Sequence, residues 1–136
     1  MSNLEGMVLS DYLLVQCVSV GGVADVYRAC RQGESGSEVA IKIFRSSYAE
    51  RASFRDYFML EAEKIGQFNH ANILPILEYG EGEQLLYLVT PFVATGTLED
   101  LLTRVGGRLS ASQALPIMQQ VCSAVQYAHD RNVIHG

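Results

Sequence analysis

The chain has no run of Lys or Arg, and its 136 residues carry a formal charge of −5. An acidic chain without a basic stripe is poorly suited to nucleic acid or to an anionic membrane surface. Cysteine is scarce. Cys17, Cys30 and Cys122 are odd in number, far apart and without a C-x-x-C, which argues against a disulfide framework or a zinc site and for buried, reduced thiols in a cytoplasmic protein. The opening MSNLEGMVLSDYLL has neither a basic n-region nor an apolar h-region, so no signal peptide is read there. The longest apolar run, around Leu85 to Ala94, is too short to span a bilayer and is interrupted by Thr90 and Pro91. No internal repeat or low-complexity segment is present. His70, His129 and His135 stand at no metal-ligand spacing from one another or from the cysteines, and no G-x-S-x-G motif or glycosidase-type carboxylate pair occurs.

What is there is ordinary globular composition, 49% apolar and 18% charged, at a length that suits one small domain or part of a larger one. Residues 1–10 read as a loose lead-in. YLLVQCV (12–18) and DVYRAC (25–30) are β-rich stretches around Gly21 and Gly22, which predicts a hairpin. In VAIKIF (39–44), Val39, Ile41 and Ile43 fall on one strand face and Ala40, Lys42 and Phe44 on the other. Residues 50–68 have helical period, with Phe54, Phe58, Ile65 and Phe68 on one stripe. ILPILEYG and EQLLYLVT read as two strands around a Gly80-Glu81-Gly82 turn. LEDLLTR reads as a short helix. A long helix follows to about Asp130, with Ser112 preferred over Ser110 as its N-cap and Pro116 placed awkwardly near its start. The fold class is α+β: five strands with one embedded helix, then helices.

Two charged residues sit where charge needs a reason. Glu61 falls in the middle of the apolar stripe of its helix, and a carboxylate facing a core is costly unless paired. Lys42, mid-strand between Ile41 and Ile43, is the candidate cation, and a Lys42–Glu61 pair is expected.

At this point the sequence resembles the protein kinases, and most of all the bacterial serine/threonine kinases. VAIK ending at Lys42 is similar to the strand that carries their phosphate-binding lysine. VSVGGVADVY stands where the G-x-G-x-x-G-x-V loop belongs, Glu61 where the lysine's partner belongs, and NHANIL where an H-P-N-I turn belongs. LYLVTPFVATGTLEDLL resembles the fifth strand, hinge and following helix, and AVQYAHDRNVIHG resembles the approach to the H-R-D catalytic loop. The resemblance covers about residues 11–136. It implies a kinase-like N-lobe, a five-stranded antiparallel sheet with one helix, over 11–90. A hinge at 91–96 and the start of a helical C-lobe over 97–136 would follow.

The resemblance also implies an ATP site. Gly21 and Gly22 would approach the phosphates, and Lys42 would neutralise them with Glu61 holding its ammonium. Val26 and Ala40 would cover adenine, and Val18 would also belong to the nucleotide site. Thr90 would close the back of the pocket, and the Pro91 C=O and Val93 N–H would meet the base edge. Mg²⁺ would accompany ATP in a full domain, and a protein hydroxyl would be the phosphate acceptor.

The sequence departs from the pattern in three places. Ser19 replaces the first loop glycine and Ala24 the third. Gly136 stands where the Arg of H-R-D would be, and no catalytic Asp or magnesium-binding Asn is among the 136 residues. The expectations are that Ser19, strained by about 1 kcal/mol where φ is positive, weakens ATP binding without abolishing it, that Ser19→Gly tightens it, and that this chain alone transfers no phosphate. The long helix is expected to leave an apolar stripe uncovered, with Tyr127 and Val133, and to favour self-association. The rival reading is a non-catalytic, pseudokinase-like nucleotide-binding or interaction module.

Overall fold

The computed structural model describes residues 3–34 and 36–135. Gly136 lies outside them, so its departure from the H-R-D pattern remains a statement about sequence. The chain divides into two units, Met1–Phe68 with Pro75–Phe92, and Asn69–Leu74 with Val93–Gly136.

The first unit is built on an antiparallel sheet of six strands: β1 (Val8–Leu9), β2 (Tyr12–Val20), β3 (Ala24–Arg31), β4 (Glu38–Phe44), β5 (Glu78–Gly82) and β6 (Leu85–Pro91), in the order β1-β2-β3-β4-β6-β5. Period-two alternation sends odd-numbered side chains of β4 to one face, where Val39, Ile41 and Ile43 are buried with Leu9, Tyr12, Leu14, Tyr27, Ala29, Tyr87 and Val89. The opposite face is covered in part by two helices, α1 (Ser46–Ala49) and α2 (Ala52–Gly66). There Ala49, Phe58, Ala62 and Leu86 are buried, with Phe44, Phe54, Tyr79 and Leu88 packed around them. The Phe44 and Phe58 rings meet edge to face, centroids 4.9 Å apart, a geometry favoured by the ring quadrupoles.

Several expectations change here. The lead-in is not loose throughout. The Gly6 N–H donates to Leu14 O (2.8 Å) and the Leu14 N–H to Met7 O (2.9 Å), and β1 adds a sixth strand that buries Leu9 completely. The helix expected over 50–68 is shorter, Ala52–Gly66, and a separate one-turn helix, Ser46–Ala49, precedes it.

The strand expected from residue 73 begins only at Glu78, because Pro75 has no N–H for a ladder. The β5–β6 turn is not Gly80-Glu81-Gly82. It is Glu83 and Gln84, both with positive φ (50° and 63°), as a two-residue hairpin loop requires. Gly80 and Gly82 lie within β5 instead, beside the Tyr87 ring. The Tyr87 hydroxyl donates to Glu78 Oε1 at 2.7 Å. Burial, reinforced by that carboxylate, pushes the phenol above its ordinary range, so it remains a donor at neutral pH.

The second unit contains α3 (Leu98–Arg104) and α4 (Ala111–His129). Thr97 and Asp100 form a reciprocal capping box on α3, and the Thr97 N–H and hydroxyl hold the Asp100 carboxyl below the usual carboxylate range. Gly96 precedes the cap at φ +93°, where a Cβ would lie 2.7 Å from an Asp100 oxygen. Ser110, not Ser112, caps α4. Its hydroxyl accepts from the Gln113 N–H at 3.2 Å while its own N–H donates to Gln113 Oε1 at 3.0 Å. The box partner three residues on decides between the two serines. Ser110→Ala is therefore expected to cost about 1 kcal/mol and Ser112→Ala much less. Urea midpoints of the two variants, measured side by side, check the assignment.

Segment 69–74 is tied to α4 by side chains. The Asn69 N–H donates to the Tyr127 hydroxyl (2.9 Å) and the Asn72 N–H to His70 Nδ1 (3.0 Å). With Nδ1 accepting, the proton of a neutral His70 sits on Nε2 and is donated to Ser123 Oγ at 3.0 Å. Along α4, Leu115 and Met118 are 60% and 51% exposed, in line with the uncovered stripe, whereas Val133 is buried, against expectation. Among the described residues no helix is long and apolar enough to cross a membrane.

Candidate functional site

The cross-strand register assembles one patch from residues far apart in sequence. Val26 on β3 is opposite Lys42 on β4, and Lys42 is in turn opposite Leu88 on β6. Ala40 is opposite Thr90. Directly paired residues share a sheet face, so Val26, Ala40, Lys42 and Thr90 lie on the face that α2 partly covers. Val18 sits at the irregularity between the Cys17–Tyr27 and Ser19–Val26 pairs and is 43% exposed. Pro91 ends β6, and its carbonyl accepts a bond from the Thr90 hydroxyl at 3.3 Å. Val93 begins the second stretch of the second unit and is exposed.

The expected Lys42–Glu61 ion pair is not formed. Glu61 Oε1 is 3.0 Å from Lys64 Nζ, one turn further along α2. The Lys42 ammonium lies 5.4 Å from the centre of the Phe44 ring, two residues along its own strand, and among the described residues it has no carboxylate partner. The reason is local. Lys64 stands at i+3 from Glu61 on one helix and reaches it with no movement of α2. Glu61 is otherwise placed as the helical wheel indicates, its side chain only 19% exposed.

The hairpin between β2 and β3 turns at Gly21, Gly22 and Val23. None of these, nor Ser19, has positive φ. Ser19 therefore carries no left-handed strain, and Ser19→Gly relieves none. Gly21 is required for another reason. A Cβ there would lie 2.6 Å from the Ala24 carbonyl oxygen, which no side chain could accept. Nothing meets a Cβ at Gly22.

Beneath the turn lies a group absent from the sequence expectations. Asp25 is 3% exposed, the one buried charged residue among those described. Its Oδ1 accepts from the Gly21 N–H and from Arg45 Nη2, each at 3.2 Å. Arg45 Nε donates to Gly21 O at 3.0 Å, and the Arg45 backbone N–H to Val23 O at 2.9 Å. The signal is in the alternation of β3. Asp25 has the parity of Tyr27 and Ala29, both core residues, so its carboxylate has to point inward and find a cation.

The described residues do not fit a divalent ion held by protein side chains, because no three His, Cys, Asp or Glu gather at one place among them. They do fit an anionic ligand with a flat apolar group. The Lys42 ammonium, without a carboxylate partner among the described residues, has apolar Val26 and Ala40 on the same sheet face, and a glycine turn lies at the end of the strands.

The family model described as protein tyrosine and serine/threonine kinase matches residues 14–136. The chain is 36% identical over 124 residues to the serine/threonine-protein kinase PrkC of Bacillus subtilis, covering 91% of this chain and 19% of PrkC. It is 32% identical to the serine/threonine-protein kinase PknA of Mycobacterium tuberculosis, covering 99% of this chain and 32% of PknA. The chain thus spans a fifth to a third of the length of these relatives. The crystal structure of the PknI kinase domain of Mycobacterium tuberculosis, as a point mutant, superposes with a TM-score of 0.83 at 26% identity, over 99% of this chain and 55% of that one. With the family model matched over nearly its whole length and its fold shared with a solved kinase domain, the chain belongs to the protein tyrosine and serine/threonine kinase family.

Proposed function

We propose that this chain is the ATP-binding part of a serine/threonine protein kinase, whose whole protein moves the γ-phosphoryl group of ATP to a protein hydroxyl. Residues 11–90 form the N-lobe, 91–96 the hinge and 97–136 the start of the helical lobe. The single observation that carries the reading is the register that puts Val26, Ala40 and Thr90 on the same sheet face as Lys42, whose ammonium has no carboxylate partner among the described residues. Val18, Val26 and Ala40 cover the adenine. Thr90 limits the depth of the pocket, and the Pro91 carbonyl and Val93 N–H meet the base edge. Gly21 and Gly22 bring backbone close to the phosphates, and Lys42 offsets their charge. Bound as its magnesium salt, ATP brings the cation that helps neutralise its phosphates.

Glu61 becomes the partner of Lys42 by leaving Lys64. The i,i+3 pair given up stabilises by only about 0.5 kcal/mol, and the exchange also requires α2 to bring Glu61 within reach of Lys42. The rival, a non-catalytic nucleotide-binding or interaction module, takes its support from the Glu61–Lys64 pair as it stands. Cys122 is exposed and Cys17 and Cys30 are half-buried, against the expectation of buried thiols, and all three are free, in accord with a reducing, cytoplasmic setting.

The purified 136-residue chain is expected to bind ATP by calorimetry and to incorporate no label from γ-labelled Mg·ATP, into itself or into a generic protein substrate. Absence of any nucleotide binding would overturn the ATP reading. Incorporation of label would overturn the inactivity of the chain.

A further inference from the structure

We propose that Asp25 and Arg45 are positioning residues that lock the glycine turn in its phosphate-accepting shape from the core side of the sheet. This rests on the ATP reading above and adds to it how the turn is held.

Three backbone groups of the turn are tied down from within. Asp25 takes the Gly21 N–H, Arg45 Nε the Gly21 C=O, and the Arg45 backbone N–H the Val23 C=O. The Gly22 and Val23 N–H groups donate to no protein acceptor among the described residues and are left for a ligand. Asp25 is paired with Ile43 in the β3–β4 ladder. That places it on the core face, opposite the face of Val26 and Lys42.

The carboxylate therefore holds the turn from behind and does not compete with a phosphate on the other face. The pair is well sheltered, with side chains 4% and 30% exposed for Asp25 and Arg45, so it is screened less than the surface ion pairs elsewhere in the chain. Ser19 and Ala24 stand in the places of the two outer loop glycines, and the turn they flank is shaped by these side-chain bonds.

The test uses the 136-residue chain with Asp25→Asn and, because Asp25 is buried, a second variant at its partly exposed partner, Arg45→Gln. Two readouts are taken. Amide hydrogen exchange of Gly21 without nucleotide should accelerate about tenfold or more in both variants, as a charge-assisted bond is weakened. The Kd for ATP should rise about tenfold while that for adenosine stays within about twofold. Unchanged Gly21 exchange in the folded Arg45→Gln variant overturns the lock. Equal losses of ATP and adenosine binding, or tighter ATP binding, overturn the positioning role. If the unmutated chain binds neither ligand, the ATP reading fails and the positioning role fails with it, while Gly21 exchange still reports separately whether the lock exists.

Discussion

Lys42→Met is expected to raise the Kd for ATP about 30-fold and to leave that for adenosine within about twofold. The figure corresponds to about 2 kcal/mol, the scale of one charge-assisted contact. A larger loss is not expected, because Lys42 is exposed and its attraction to phosphate is partly screened by water. Met keeps the stem that lies along the strand near Phe44 and removes only the charge. Calorimetric titration of both ligands into both proteins reads the effect. Equal weakening for ATP and adenosine would mean that the substitution disturbed the sheet and not a phosphate contact.

Ile41→Ala is expected to lower the stability of the first unit by about 3 kcal/mol, within the range for truncating a fully buried branched side chain. Ile41 is 0% exposed and is paired with Tyr27 on one side and Val89 on the other, so the space it leaves is walled by two ladders that cannot collapse inward. A loss of that size is a large fraction of the roughly 5–15 kcal/mol that holds a typical domain. Urea unfolding followed by tyrosine fluorescence measures it. A shift below about 1 kcal/mol, less than the usual range for such a truncation, would contradict the central place given to this residue. The neighbouring Lys42→Met variant, on the other face, should leave the urea midpoint nearly unchanged.

Much of this fold is legible in the chain because β4 alternates cleanly. Val39, Ile41 and Ile43 against Ala40, Lys42 and Phe44 already separates a core face from the face that carries Lys42, and the structure keeps that separation. The stripe of α2 is legible for the same reason, since Phe58 lies on it and is buried. Turns are harder. Gly80 and Gly82 look like a turn, but they make room for the Tyr87 ring, and the bend falls to Glu83 and Gln84, residues with little intrinsic preference for positive φ. Tertiary packing decides there, and no local pattern carries it. Strand β1 is two residues long, too short for any periodicity to show.

The candidate site divides in the same way. Strand parity suffices to bring Val26, Ala40, Lys42 and Thr90 together. The partner of Glu61 is not readable from its place on a helical wheel, because Lys42 and Lys64 are both candidate cations and the choice depends on where α2 rests. Asp25 is readable, as a charged residue at core parity in β3, and Arg45 just past the end of β4 completes it.

The measurement closest to the central claim uses the fact that the chain has only two lysines, Lys42 and Lys64. Both are exposed, so exposure alone would label both. An ATP analogue carrying a reactive acyl group on its terminal phosphate transfers that group to an amine held beside the phosphates, and peptide mass spectrometry locates it. Acylation of Lys42 is expected, suppressed by excess ATP and, at higher concentration, by adenosine, which occupies the same adenine-covering residues, with Lys64 labelled no more than in the unfolded chain. Equal labelling of Lys42 and Lys64, indifferent to excess ATP, would contradict the claim.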